Sequence, residues 1–199
     1  KLRAMENRRI VLASRPAAEV AEANFRLESA PLASAGEGEV LVKNLWLSLD
    51  PYMRGRMSDA KSYVKGVDLG EVMVGQTVGE VLESRHEGLE KGDHVLTQLG
   101  WQLFGTCRGA EAVKVDGKRA PLSYYLGMLG MPGMTAYFGL KEIGQPKAGD
   151  TVVVSAASGA VGSVVGQLAG LWGCRVVGIA GGRAKCDFVT GELGFDACV

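Results

Sequence analysis

Thr151-Val-Val-Val-Ser-Ala-Ala-Ser-Gly-Ala-Val-Gly162 is the stretch whose reading decides the fold. It changes character at Ser155, from β-branched residues to small ones and glycines. A β-strand that feeds a Gly-rich turn at the start of a helix is how a dinucleotide pyrophosphate is held. The free N–H groups of the helix start meet the negative charge. Gly159 lets the backbone approach the phosphates, and Gly162 lets the helix pack on the strand. The turn is not the strict GxGxxG, because Ala157 stands where the first glycine would be. A degenerate motif of this kind also fits an ordinary tight βα turn that needs glycines only for packing. The clear strand before it and helix after it favour the dinucleotide.

The same alternation continues towards the C-terminus. The pattern predicts a helix over 160–172, a strand over 175–179, a helix over 184–193 and a strand beginning near Asp196. That order, β-α-β-α-β, is half of a doubly wound sheet, and its last strand is cut off at Val199. Upstream, a helix is predicted over 134–143, after the break Gly130-Met-Pro-Gly133. Gly144 ends it and Pro146 blocks its continuation. Residues from Arg8 to about Gly127 read as mostly β. Strands are predicted over 9–14, 40–48 and 72–82, the last interrupted by glycines, with a turn into a strand over 89–96 and another strand over 111–115. Frequent short strands imply a compact barrel-like domain. The expectation is an α/β chain with a β-rich part, divided into domains 1–127 and 128–199.

The 199 residues are 47% hydrophobic and 22% charged, with a formal net charge of zero. That balance is ordinary for a globular protein and carries no basic footprint for nucleic acid. Residues 151–174 carry no charge, a length that suggests a membrane span. Five glycines, three serines and a glutamine within them argue for a strand, a turn and a buried helix instead. The Gly162, Gly166, Gly170 stripe then lets that helix lie close to a sheet. Four cysteines stand at 107, 174, 186 and 198, with no CxxC spacing, beside only two histidines, His86 and His94. This pattern implies neither a zinc site nor a disulfide framework, and a reduced, cytoplasmic protein.

Two further segments carry candidate chemistry. The predicted second strand of the sheet ends in Val177-Gly-Ile-Ala-Gly-Gly-Arg-Ala-Lys185. An NAD site places Asp or Glu there to hold the ribose hydroxyls. Here glycine is followed by Arg183 and Lys185, and two cations without a carboxylate suit a 2′-phosphate, hence NADP(H). The competing reading is a pair of solvated charges on the next helix, although cations at a helix start run against its dipole. The other segment is Ser48-Leu-Asp-Pro-Tyr-Met-Arg-Gly-Arg-Met57. Asp50-Pro51 starts a turn, and Tyr52 could donate a hydrogen bond to a substrate carbonyl or serve as a structural tyrosine.

These residues, with Arg8-Arg9, Leu12-Ala-Ser-Arg-Pro16, Leu129-Gly-Met-Pro-Gly-Met-Thr-Ala-Tyr137, Ile143-Gly-Gln-Pro146 and Gly173-Cys-Arg-Val-Val-Gly178, run in one order along the whole chain. Together they resemble the zinc-independent medium-chain dehydrogenase/reductases, and within them the NADPH-dependent curcumin, prostaglandin and alkenal double-bond reductases. The resemblance implies a GroES-like, partly open barrel followed by an incomplete Rossmann domain, a homodimer for the full-length parent, and a chain continuing well beyond Val199. It implies NADPH-dependent reduction of the C=C bond of an α,β-unsaturated ketone, without metal. Gly159, Ala160, Val161 and Gly162 match the pyrophosphate turn. Gly181 and Lys185, with Arg183 beside them, match the adenosine-phosphate contacts, and Met131 and Thr135 the segment lining the nicotinamide. Tyr52 matches a cleft tyrosine, and Tyr63 lies in a nearby substrate loop. The alternatives are a non-catalytic fragment of such an enzyme and a quinone oxidoreductase of the same superfamily.

Overall fold

The computed structural model describes residues 6–62 and 64–199. They form two compact units, meeting in sequence between Tyr125 and Leu126.

In the first unit, β1 (Glu6–Leu12) and β2 (Phe25–Pro31) form an antiparallel hairpin. Then come β3 (Glu39–Leu47), a short helix α1 (Tyr52–Arg56), β4 (Thr77–Ser84), β5 (His94–Thr97), β6 (Phe104–Arg108) and β7 (Val113–Val115). Strands β3 to β7 make an antiparallel sheet in the order β6-β3-β4-β5-β7. Val40 and Val42 on β3 pack with Val81, Leu89, Val95 and Leu99. Leu41, on the opposite face by strand alternation, packs with Ala35 and Phe104. Both faces of β3 are therefore buried at this point. On β4 and β5 the buried Thr77 and Thr97 stand opposite each other and share a hydroxyl hydrogen bond of 2.7 Å.

The expectation of a strand over 72–82 is corrected at its start. Regular pairing begins only at Thr77, because residues 71–73 are engaged by the hairpin instead. Leu12 N donates to Glu71 O and Met73 N to Ile10 O. Strands β2 and β6 were not foreseen.

The second unit opens with α2 (Met131–Phe138), which runs into a wider π-type turn over Gly139–Gly144. This helix begins three residues earlier than its pattern implies. Pro132 sits in the first turn, where a missing N–H costs nothing, so Gly130-Met-Pro-Gly133 starts the helix rather than breaking it. There follow β8 (Thr151–Ser155), α3 (Gly162–Leu171), β9 (Arg175–Ile179), α4 (Arg183–Gly191) and β10 (Ala197–Cys198). The three strands are parallel in the order β10-β9-β8. The core between strands and helices is Leu140, Val154, Ala157, Ala169, Cys174, Val176, Val189 and Phe195.

The cysteine expectation also needs correction. Cys186 on α4 and Cys198 on β10 form a disulfide, their Cα atoms 5.2 Å apart, whereas Cys107 and Cys174 are free. A separation of 12 residues hides the pair in the sequence. It is the return of the chain from α4 into β10 that joins them.

Candidate functional site

The first candidate surface lies on the turn into α1. Pro51 has φ −56°, already helical, and Arg54 N donates to its carbonyl. Met53 and Met57 point into a core with Leu12, Val67 and Met73, which fixes the orientation of the turn. Tyr52, half-buried, packs against that cluster, and its hydroxyl has no hydrogen-bond partner among the described residues. Burial pushes the Tyr52 phenol above its ordinary pKa; the negative charge of Asp50 adds to this, and Arg56 opposes it. The phenol therefore remains an O–H donor at neutral pH. Asp50 Oδ2 and Arg56 Nε are buried without hydrogen-bond partners among the described residues. Arg54 is a structural clamp, donating to the carbonyls of Ala18 (2.8 Å) and Pro16 (3.4 Å). Tyr63 lies outside the described residues.

An apolar cavity of about 290 Å³ borders the same unit, walled by Ile10, Leu27, Leu45, Trp46, Leu47 and Trp101. Trp101 packs against the Met53 cluster that also carries Tyr52. Sequence reasoning did not foresee this cavity. The signal available to it was a run of large apolar residues, Leu45 to Leu47, continuing where a half-buried strand should alternate.

The second candidate surface is the carboxyl edge of the parallel sheet, where ligands of open α/β folds bind. Ser155 and Ile179 are in register, so β8 and β9 end together. Ala157 N donates to Ile179 O, joining the glycine turn to the end of β9. Gly159 N turns back to Ala156 O at 2.8 Å, and Ser163 N donates to Gly159 O. Among the described residues the amides of Ala160, Val161 and Gly162, at and just before the start of α3, donate to no protein acceptor. Gly162 is buried, and a methyl group there would run into the carbonyl of Ala156. These features fit a bound pyrophosphate.

The departure from the strict motif has a visible cause. Ala157 is fully buried, and its Cβ lies 2.9 Å from where a side chain on Gly178 would begin. The small residue needed at this contact is supplied by β9 rather than by the turn.

The turn after β9 carries Gly181, exposed with open space around it, and Gly182, whose φ of +90° at the start of α4 favours glycine. The Arg183 side chain is 95% exposed and lies 3.8 Å from Asp187, one helical turn on. Lys185 is exposed and makes no ion pair among the described residues. The structure thus brings Gly159 to Gly162 and Gly181 to Lys185 to one edge of one sheet. Met131 and Thr135 stand elsewhere in the unit, on α2, which packs on α3. Both are exposed, and the Thr135 hydroxyl donates to Met131 O at 2.8 Å.

Comparison with known proteins places this arrangement. Residues 8–115 match the family described as the N-terminal domain of oxidoreductase. The chain belongs to that family, and its fold is that of the medium-chain dehydrogenase/reductases: a GroES-like β-rich unit without a closed barrel, followed by Rossmann-type β-α-β-α-β structure. It is 55% identical, over 97% of its length, to the NADPH-dependent curcumin reductase of Escherichia coli (strain K12). It is 49% identical, over 81%, to a 2-alkenal reductase (NADP(+)-dependent) of Nicotiana tabacum. The chain spans 56% and 48% of the length of these two relatives. The crystal structure of CurA from Vibrio vulnificus in complex with NADPH superimposes with a TM-score of 0.91 at 53% identity, covering 96% of this chain and 57% of that one. No described helix is long and apolar enough to cross a membrane.

Proposed function

We propose that the protein is an NADPH-dependent oxidoreductase that reduces the C=C bond of an α,β-unsaturated ketone. The observation that carries this reading is the pairing of two turns at one sheet edge. One offers the free amides of Ala160, Val161 and Gly162, and the other offers Gly181, Arg183 and Lys185 with no carboxylate before α4. The first set suits a pyrophosphate and the second a 2′-phosphate. Asp187 holds Arg183 only loosely, and an exposed pair of this kind contributes at most about 1 kcal/mol. Arg183 is therefore free to turn to a phosphate at little cost. Met131 and Thr135 are assigned to the nicotinamide end, where the Thr135 hydroxyl oxygen can still accept a hydrogen bond.

Bound NADPH supplies a hydride for the β-carbon of the enone. The residues of this chain manage the charge that then develops on the carbonyl oxygen. Tyr52 keeps its proton, holds it unshared and sits on a turn fixed by two buried methionines, so its O–H can donate to that oxygen. Preorganised donors of this sort stabilise an enolate without reorganisation. Tyr63 is assigned to the substrate loop, and the apolar walls at Trp46, Leu47 and Trp101 suit a hydrophobic substrate.

In this reading residues 1–127 are the catalytic domain and 128–199 the first part of the cofactor domain. The full-length enzyme is a homodimer of the cytoplasm. The test is NADPH oxidation by the full-length protein, followed spectrophotometrically, with an enone and with a quinone. Turnover of the enone with NADPH preferred over NADH is expected. Turnover of the quinone alone, or a preference for NADH, overturns the proposal.

A further inference from the structure

The disulfide lies next to the turn assigned to the 2′-phosphate. Cys186 is the fourth residue of α4, directly after Lys185, and Cys198 is paired through β10 with Gly178 of β9. Around them the backbone is closed at two points: Ala180 N donates to Val199 O at 3.0 Å, and Val199 N to Gly178 O at 2.9 Å. The Cys186 sulfur also faces the Ala180 carbonyl, 3.8 Å away. The segment Gly181–Lys185, a turn and the first residues of α4, is thus flanked by two ties to the end of the chain's third parallel strand: the backbone hydrogen bond of Ala180 to Val199, just after β10, and the sulfur–sulfur link of Cys186 to Cys198.

We propose that Cys186 and Cys198 are a reversible dithiol–disulfide couple whose closure locks the Gly181–Lys185 turn. The Cα separation of 5.2 Å lies within the span a disulfide bridges, so neither element has to move for the bond to form or break. Cys186 is the thiol that reacts first. It sits partly exposed in the opening turn of α4, the helix end that stabilises a developing negative charge, with Lys185 before it and Asp187 after it in sequence. A peroxide is the matching oxidant. The Cys186 thiolate attacks one peroxide oxygen, the O–O bond breaks, and a sulfenic acid and water result. The Cys198 thiolate then attacks that sulfur and expels a second water. Two thiols lose two electrons and two protons, and one peroxide becomes two waters. In a reducing compartment the pair returns to thiols by exchange with a dithiol. The free cysteines differ. Burial pushes the Cys107 thiol up to about 11, and Cys174 is buried in the core, so neither competes for the oxidant.

The importance of the lock for cofactor binding rests on the 2′-phosphate reading above; the couple itself does not. The test uses the full-length protein, reduced with dithiothreitol, freed of it, and treated with hydrogen peroxide. No Lys or Arg lies between Cys186 and Val199, so one tryptic peptide carries both cysteines. On oxidation that peptide is expected to lose two hydrogens and resist alkylation, and dithiothreitol should reverse both changes. Cys107 and Cys174 should remain alkylatable. A peptide that stays fully alkylated, or a bond to Cys107, to Cys174 or to a second molecule, overturns the couple. Amide exchange within 181–185 should slow on oxidation by about threefold or more, and Cys198→Ser should abolish the difference. Equal exchange in both redox states overturns the lock. The probe 2′,5′-ADP should bind about threefold tighter to the oxidised form. If Arg183→Ala/Lys185→Ala leaves 2′,5′-ADP binding intact, the cofactor reading falls while the peptide and exchange results still decide the couple.

Discussion

Gly166→Ala is the substitution whose sign the structure reverses. Alanine is the better helix former by about 0.8–1.0 kcal/mol, so helix propensity alone makes this change stabilising. Gly166 is buried in the middle of α3, however, and the three atoms nearest an added methyl are all in the Phe195 ring, well inside van der Waals contact. Phe195 is itself buried, in the core with Val176 and Val189. Overpacking of a filled core costs about 1–3 kcal/mol, and overlap with a ring sits at the upper end. Net destabilisation of about 2 kcal/mol is expected, a fall of about 1 M in the urea midpoint. The overlapping atoms are Cζ, Cε1 and Cε2, which leucine lacks. On a Phe195→Leu background Gly166→Ala should therefore become neutral or stabilising, with a coupling energy of about 2–3 kcal/mol. Gly170→Ala is the control: that glycine is exposed, its nearest neighbour is 4.0 Å from the added carbon, and it should gain up to about 1 kcal/mol. Urea unfolding of the four-member cycle and of the Gly170→Ala control, read by far-ultraviolet circular dichroism, measures all of these. A stabilising Gly166→Ala in the parent, or simple additivity with Phe195→Leu, would refute the reasoning.

Gly162→Ala should weaken NADPH and NADH alike by about tenfold or more in calorimetry, because the added methyl meets only backbone and the phosphate turn itself must shift. Arg183→Ala/Lys185→Ala should weaken NADPH about 10- to 100-fold and leave NADH unchanged, since charge-assisted hydrogen bonds are worth about 1.5–3 kcal/mol and these side chains are exposed. Tyr52→Phe should lower kcat for an enone by about 10- to 100-fold at an unchanged KM for NADPH. The folded pKa of Tyr52 lies above its ordinary 10.0, so deprotonation opposes folding. Its donor function and its share of stability persist below pH 10 and are lost as pH rises through the higher folded value. Asp50→Asn removes the second cause of the shift and should move the alkaline limb of the pH–rate profile to lower pH.

The second unit was legible because its signals are local. Thr151–Ser155 and Arg175–Ile179 are short β-branched runs with small residues after them, and each strand begins and ends where the pattern places it. The first unit was less legible because its pairing is not local. Strand β1 exchanges hydrogen bonds with residues 71–73 and 101–103, donating to Glu71 O and Trp101 O and accepting from Met73 N and Leu103 N, and regular pairing of the strand expected from Val72 begins only at Thr77. Strand β2 was hidden by its polarity. Most of its side chains face solvent, and Arg26 and Glu28 pair on the surface, so no buried face marks it. The disulfide was hidden for the same reason as the long-range pairing of β1, by a contact that only tertiary structure creates.

The Asp50–Met57 segment shows how far composition can carry a site. As sequence it is a cluster of soft, charged and aromatic residues, any of which could act. The fold assigns them separate roles. Met53 and Met57 are core, and Arg54 is bound to the carbonyls of Pro16 and Ala18. Asp50 and Arg56, both partly exposed, each have one buried atom without a partner among the described residues; they lie on either side of Tyr52 in the sequence and have opposite effects on its proton. Burial is the main cause of the raised Tyr52 pKa, and the carboxylate and the guanidinium adjust it in opposite directions. What remains facing outward is the Tyr52 hydroxyl, unpartnered and kept protonated. Replacing Arg54 should therefore cost stability, replacing Asp50 or Arg56 should move a pKa, and only the loss of Tyr52 should remove the donor.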